Sequence, residues 1–271
     1  MLDFEDMPAA TVLASLPVFP LPNVVFFPGM VLPLNVFEER YLDLVDHVLD
    51  GGGHIGVPLL VRPADAFAKR SLRPPFERVF GIGRLVSHQR LSDGRRFIRL
   101  KGLGRAREIQ ELVPSHRFRE VEAEALSEET FADDLERPGG RGELSGLGPL
   151  SQLGQSSPLS KLDQLVAQIE RMASIFEAPE QEFLHSVLRI DDPRVALYTL
   201  TSFLPNVEIL RAVDGDCMAW SATEKCPMLE FQQKCLEAAT IERRVALLLE
   251  RTGSWLACLH AGGYLSSDTL H

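Results

Sequence analysis

A chain of 271 residues that is 45% hydrophobic and 24% charged has the composition of a folded protein, with room for one large core or two small ones. Disordered, collagen-like and disulfide-framework classes are excluded on those proportions. Its 28 basic against 38 acidic residues leave a net charge of −10, a field that repels phosphate backbones and anionic membrane surfaces.

Residues 7–37 carry no charged side chain, yet they hold Pro8, Pro17, Pro20, Pro22, Pro28 and Pro33. Each proline removes a backbone donor that lipid cannot replace, so a membrane span is not expected. Asp3, Glu5 and Asp6 stand where a secretory leader would be basic. The expectation is a cytoplasmic protein that begins in buried strands. Between Leu16 and Leu34 the prolines separate the apolar runs Val24–Phe27 and Met30–Leu32, which read as short strands and tight turns. From Glu38 to Leu49, apolar residues recur every three or four positions and Gly51-Gly52-Gly53 follows, the pattern of an amphipathic helix with a glycine stop.

Strand-length segments follow at 55–61, 79–87, 97–103 and 105–112, with Ser92-Asp93-Gly94 as the turn of a hairpin. Residues 127–160 change character: an acidic run gives way to a stretch rich in Gly, Ser, Pro and Leu, read as a linker. Beyond Ser160 the period is helical. Leu162–Met172 and Phe183–Leu188 each mark a helix, and Asp192-Pro193 caps another that runs to Phe203. Phe231–Leu249 reads as one long helix. The predicted fold class is α+β: a β-rich part over 1–127 with one helix, a linker over 128–160, and a helical bundle over 161–271.

Motifs for chemistry are sparse. Gly51-x-Gly53-x-x-Gly56 has the letters of a dinucleotide fingerprint, but a helix precedes it and a strand follows, the reverse of the required context. No P-loop and no Gly-x-Ser-x-Gly elbow occur. Cys217, Cys226, Cys235 and Cys258 form no Cys-x-x-Cys pair and read as reduced core thiols. The seven histidines are scattered without ligand spacing. No catalytic residue, metal site or cofactor is expected.

One electrostatic feature departs from the global charge. Between Arg70 and Arg107 there are eleven basic residues against only Glu77 and Asp93. A basic strand face could hold RNA; the competing expectation, favoured by the few aromatics available for base stacking, is pairing with the acidic stretch from Glu108 to Glu136 or a solvated sheet face.

Several stretches, taken in order, resemble the Lon protease N-terminal, substrate-binding domain. They are Leu16-Pro-Val-Phe-Pro-Leu-Pro22, Val24–Leu34, Gly81-Ile-Gly83, Asp93-Gly94, Lys101-Gly-Leu-Gly-Arg-Ala-Arg107, Ile190-Asp-Asp-Pro193, Phe231–Glu237 and Glu242-Arg243. The resemblance implies a PUA-like twisted antiparallel sheet or barrel followed by a helical bundle. It also implies a role in capturing client polypeptide, with a protease or chaperone as the partner that acts on it. No ATPase or proteolytic module is expected within this chain, and residues 131–158 and 206–227 look longer than the family pattern. The apolar loop from Pro28 to Pro33 is the expected binding surface: Pro28, Met30 and Leu32, with Phe37 as a large contact and Arg40 as a charged rim.

Overall fold

A computed structural model of the chain describes residues 8–61, 73–127, 161–214 and 226–262. The expected linker over 128–160, and much of the stretch over 206–227, lie outside the described residues. Two compact units are formed: Met1–Ser127 together with Trp220–Glu237, and Glu128–Ala219 together with Ala238–His271.

The first unit opens with a single turn of helix, α1 (Ala10–Leu13), then β1 (Leu16–Val18), β2 (Val31–Val36), α2 (Glu39–Asp50), β3 (His54–Val57), β4 (Val79–Arg90), β5 (Arg96–Glu111) and β6 (Arg119–Leu126). The six strands lie in the order β2-β5-β4-β3-β1-β6, and β6 pairs back onto β5. That second pairing closes β5, β4, β3, β1 and β6 into a barrel, leaving β2 at an edge. Closure works because β5 is long: its first half pairs with β2 and its second with β6. The two expected strands at 97–103 and 105–112 are therefore one, running past the glycines at 102 and 104. Pairing is antiparallel except between β1 and β3.

Val24–Phe27 is not a strand. It crosses the sheet face, and Phe26 and Phe27 are wholly buried. The sheet admits it through glycine: a Cβ on Gly81 would lie 2.0 Å from the Phe26 carbonyl oxygen, and one on Gly102 would lie 2.2 Å from that of Phe27. The Gly29 N–H donates to the Gly102 carbonyl (2.9 Å) and the Gly102 N–H to the Met30 carbonyl (2.8 Å), fastening the crossing to β5.

Helix α2 buries Tyr41, Leu44, Val45 and Val48 against Ile55, Val57, Ile98 and Leu100 of the sheet. Each such aliphatic side chain contributes about 1.5–3 kcal/mol on removal from water. A second cluster, with Leu16, Phe80, Ile82, Ala106 and Val121, packs beneath α1.

The last element of this unit is α7 (Pro227–Glu237). The Gln233 amide donates to the Val79 carbonyl (2.9 Å), and buried Arg105 donates to the Leu236 carbonyl (2.7 Å) at the helix C-terminus. A cation suits that end of a helix, where carbonyls lack intrahelical partners. The expected single helix from Phe231 to Leu249 is thus two. The break falls at 238–240, where the Thr240 hydroxyl accepts from the Arg243 N–H and caps the next helix.

The second unit contains α3 (Lys161–Ala173), α4 (Ala178–Val187), α5 (Pro193–Phe203), a 3-10 turn over Leu204–Asn206, α6 (Glu208–Asp214) and α8 (Ile241–Ala261). Asp192 caps α5 as its sequence predicts, accepting from the Arg194 N–H at 2.9 Å. Arg244 is buried, with its guanidinium 4.5 Å from the Tyr198 ring centroid and a bond to the Ala238 carbonyl. A six-stranded sheet with a helical C-terminal region bears out the predicted α+β class. One cysteine expectation is overturned: Cys235 and Cys258 are free, but Cys226 is disulfide-bonded. Spacing along the chain carries no record of which sulfurs meet in space.

Candidate functional site

The five residues expected to form a binding surface are placed differently from one another. Pro28 is buried, and Leu32 faces the α2 core because β2 alternates, turning Leu32 and Val36 inward and Val31, Pro33 and Asn35 outward. The segment is not an open loop: Pro28 and Gly29 form a turn, all six residues of β2 from Val31 onward are paired with β5, and Pro33 is accommodated because the strand is an edge. Met30 is half-buried against the same core. Phe37, just past the end of β2, is 66% exposed, and Val31, at the start of β2, is 55% exposed. Arg40 is held by Glu38 (2.7 Å) and lies 4.7 Å from the Tyr41 ring centroid.

A cleft of about 220 Å³ within the first unit was not foreseen. One wall is the extended segment Leu59-Leu60-Val61 with Pro22; the other is α7, through Leu229, Gln233 and Lys234. The segment is fixed in extended form by bonds from the Leu60 N–H to the Leu21 carbonyl (2.8 Å) and from the Val61 N–H to the Pro75 carbonyl (2.9 Å). Leu60, Val61 and Leu229 are partly exposed, and Glu230, Lys234 and Glu237 form a charged rim. Lys234 pairs with Glu230 at 3.3 Å, one helical turn away. Apolar walls with a mixed-charge rim suit an extended apolar segment flanked by polar groups. The sequence signal was available in the apolar face of Pro227–Glu237, but read as part of a longer helix it pointed away from the sheet.

The basic segment from 73 to 107 is largely neutralised. Arg73 pairs with Glu111, Arg78 with Glu108, Arg90 and Arg96 with Asp46, Arg95 with Asp93, and Arg107 with Glu124. Arg105 is spent inside the unit. The charge excess is thus distributed over internal pairs.

A family model for the ATP-dependent protease La (LON) substrate-binding domain matches residues 15–209, more than half of the chain. The chain belongs to the Lon substrate-binding domain family. Lon protease of Roseiflexus castenholzii is 28% identical over 197 residues, which is 70% of this chain and 24% of that protein. Lon protease of Trichlorobacter lovleyi is 33% identical over 124 residues, 45% of this chain and 14% of that protein. The chain therefore spans between about a seventh and a quarter of the length of these curated relatives. Among solved structures, the N-terminal domain of Mycobacterium avium complex Lon protease superposes with a TM-score of 0.53 at 14% identity, covering 88% of this chain and 98% of that one. That likeness supports the fold of a Lon N-terminal domain. No helix among the described residues is long and apolar enough to cross a membrane.

Proposed function

We propose that this chain recognises unfolded or exposed apolar polypeptide segments and performs no chemistry itself, presenting what it holds to a separate protease or chaperone. The observation that carries this reading is the cleft between Leu60 and Leu229: partly exposed apolar walls on a rigid strand-and-helix frame, in a chain of the Lon substrate-binding family. Phe37, exposed just past the end of β2, offers a separate apolar contact on the same unit. The alternative, RNA binding through the basic segment, is disfavoured by the carboxylate partners of its arginines.

The test is affinity for a fluorescent, permanently unfolded casein, measured on the whole chain and on Leu229→Asp and Phe37→Asp. Leu229→Asp should weaken binding by about 1–3 kcal/mol, the scale of an interface anchor. Absence of polypeptide binding would overturn the reading, as would tight RNA binding with a steep salt dependence. Peptidase or ATP turnover abolished by a point change in this chain would overturn its non-catalytic part.

A further inference from the structure

Away from the cleft, three side chains from separate elements converge. His47 lies in the last turn of α2, His116 in the connection between β5 and β6, and Glu120 in β6 opposite Pro17. One ligand-type atom from each lies within 4.8 Å of the others. The imidazoles contact each other, with centroids 4.9 Å apart, and Phe118, whose ring stacks on His116 at 4.7 Å. His116 Nε2 stands 3.8 Å from Glu120 Oε2.

Glu120 is built as an oriented ligand. Its side chain is 7% exposed, and a serine hydroxyl reaches each oxygen: Ser15 Oγ donates to Oε1 and Ser115 Oγ to Oε2, both at 2.8 Å. Hydroxyl donors of this kind fix the rotamer of a metal-binding carboxylate while leaving lone pairs available. The nearby arginines are turned to other carboxylates, Arg117 to Glu39 and Asp43, and Arg119 to Glu111.

We infer that His47, His116 and Glu120 form a site for a divalent late first-row transition metal, zinc above all. Two imidazoles and one carboxylate are a recurrent zinc donor set, and neutral nitrogen with a single carboxylate disfavours calcium and magnesium, which prefer all-oxygen shells. Zinc bonds of about 2.0–2.1 Å bring tetrahedral ligands to about 3.3 Å from one another, so the rings close inward by rotation onto a carboxylate that is already fixed. The bound ion would clip the C-terminal end of α2 to the β5–β6 connection.

The experiment titrates zinc chloride into the whole purified chain by calorimetry, with thermal unfolding in parallel. One zinc per chain is expected, with a rise in Tm as binding favours the native state. His47→Ala and His116→Ala should each weaken binding by about tenfold or more, and Ser115→Ala, which touches the metal only through Glu120, should also weaken it by about tenfold. Neither histidine is part of the buried core, so both variants are expected to fold, and their Tm without zinc checks that. The inference is overturned if the wild-type chain takes no zinc, or if both histidine variants bind as the wild type does. Loss of binding in Cys258→Ala with both histidine variants unaffected would likewise overturn it. A polypeptide-binding failure leaves this result untouched, because no cleft residue takes part.

Discussion

Gly81 faces the Phe26 carbonyl so closely that a Cβ in its place would stand 2.0 Å from that oxygen. The contact is backbone against strand, so no flexible side chain can yield. Through it the uncharged Val24–Phe27 segment reaches the interior and carries two buried phenylalanines with it.

Gly81→Ala should therefore destabilise the chain by about 1–3 kcal/mol or more, the cost of overpacking a site that cannot relax. Gly94 is the control. Its φ of +86° disfavours an L side chain, but nothing lies within 4 Å, so Gly94→Ala should cost only about 1 kcal/mol. Urea unfolding of the two variants checks the order.

Arg105 is 1% exposed and donates to the Leu236 carbonyl. Arg105→Met keeps much of the volume but removes the donors, leaving a buried carbonyl with one bond fewer. A loss of about 2–3 kcal/mol is expected, the range for a bond to a charged donor. Hydrogen exchange should show α7 opening more than β4 in this variant; equal opening would mean that Arg105 does not hold the helix.

Asp46 has its carboxyl pulled below the ordinary value, first by the hydrogen bond from Arg96, with burial opposing and the charges of Arg96 and Arg90 adding to it. The sign follows by linkage: a depressed folded-state value makes a contribution that is present above the ordinary carboxylate range and lost as pH falls through the folded value. Asp46 is half exposed, so screening keeps the effect below about 1 kcal/mol. Asp46→Asn should lower the urea midpoint near neutral pH and narrow its gap from the wild type as acid approaches pH 3.

Leu32 and Phe37 separate core from surface. Leu32→Asp places a carboxylate among Val36, Leu44 and Ile98 and should cost more than about 3 kcal/mol. Phe37→Asp should stay within about 0.5 kcal/mol of the wild type in stability. A large fall in Tm for Phe37→Asp would remove it as a binding contact.

Local rules made much of this chain legible. The three-to-four period and glycine stop of α2, the Asp93-Gly94 hairpin, the Asp192 cap of α5 and the ordered motifs of the Lon family are all written in neighbouring residues, because they depend on backbone geometry within a few positions. Strand β6 lies outside the predicted strands although Val121, Ala123 and Ala125 alternate with Glu120, Glu122 and Glu124. A glutamate-rich strand is recognised only once its partner supplies arginine, as Arg107 does for Glu124. Other features were decided by tertiary structure alone. Thr240 could cap a helix or sit within one; it caps, and α7 ends ahead of it where Arg105, far back in the chain, binds the Leu236 carbonyl. Val24–Phe27 has strand composition, but glycines far along the chain open a path across the sheet instead. Leu32 and Phe37 are both apolar, and only the pairing of β2 with β5 settles which one meets solvent. His47, His116 and Glu120 have no spacing that relates them, since closure of the barrel against α2 is what brings imidazole and carboxylate together.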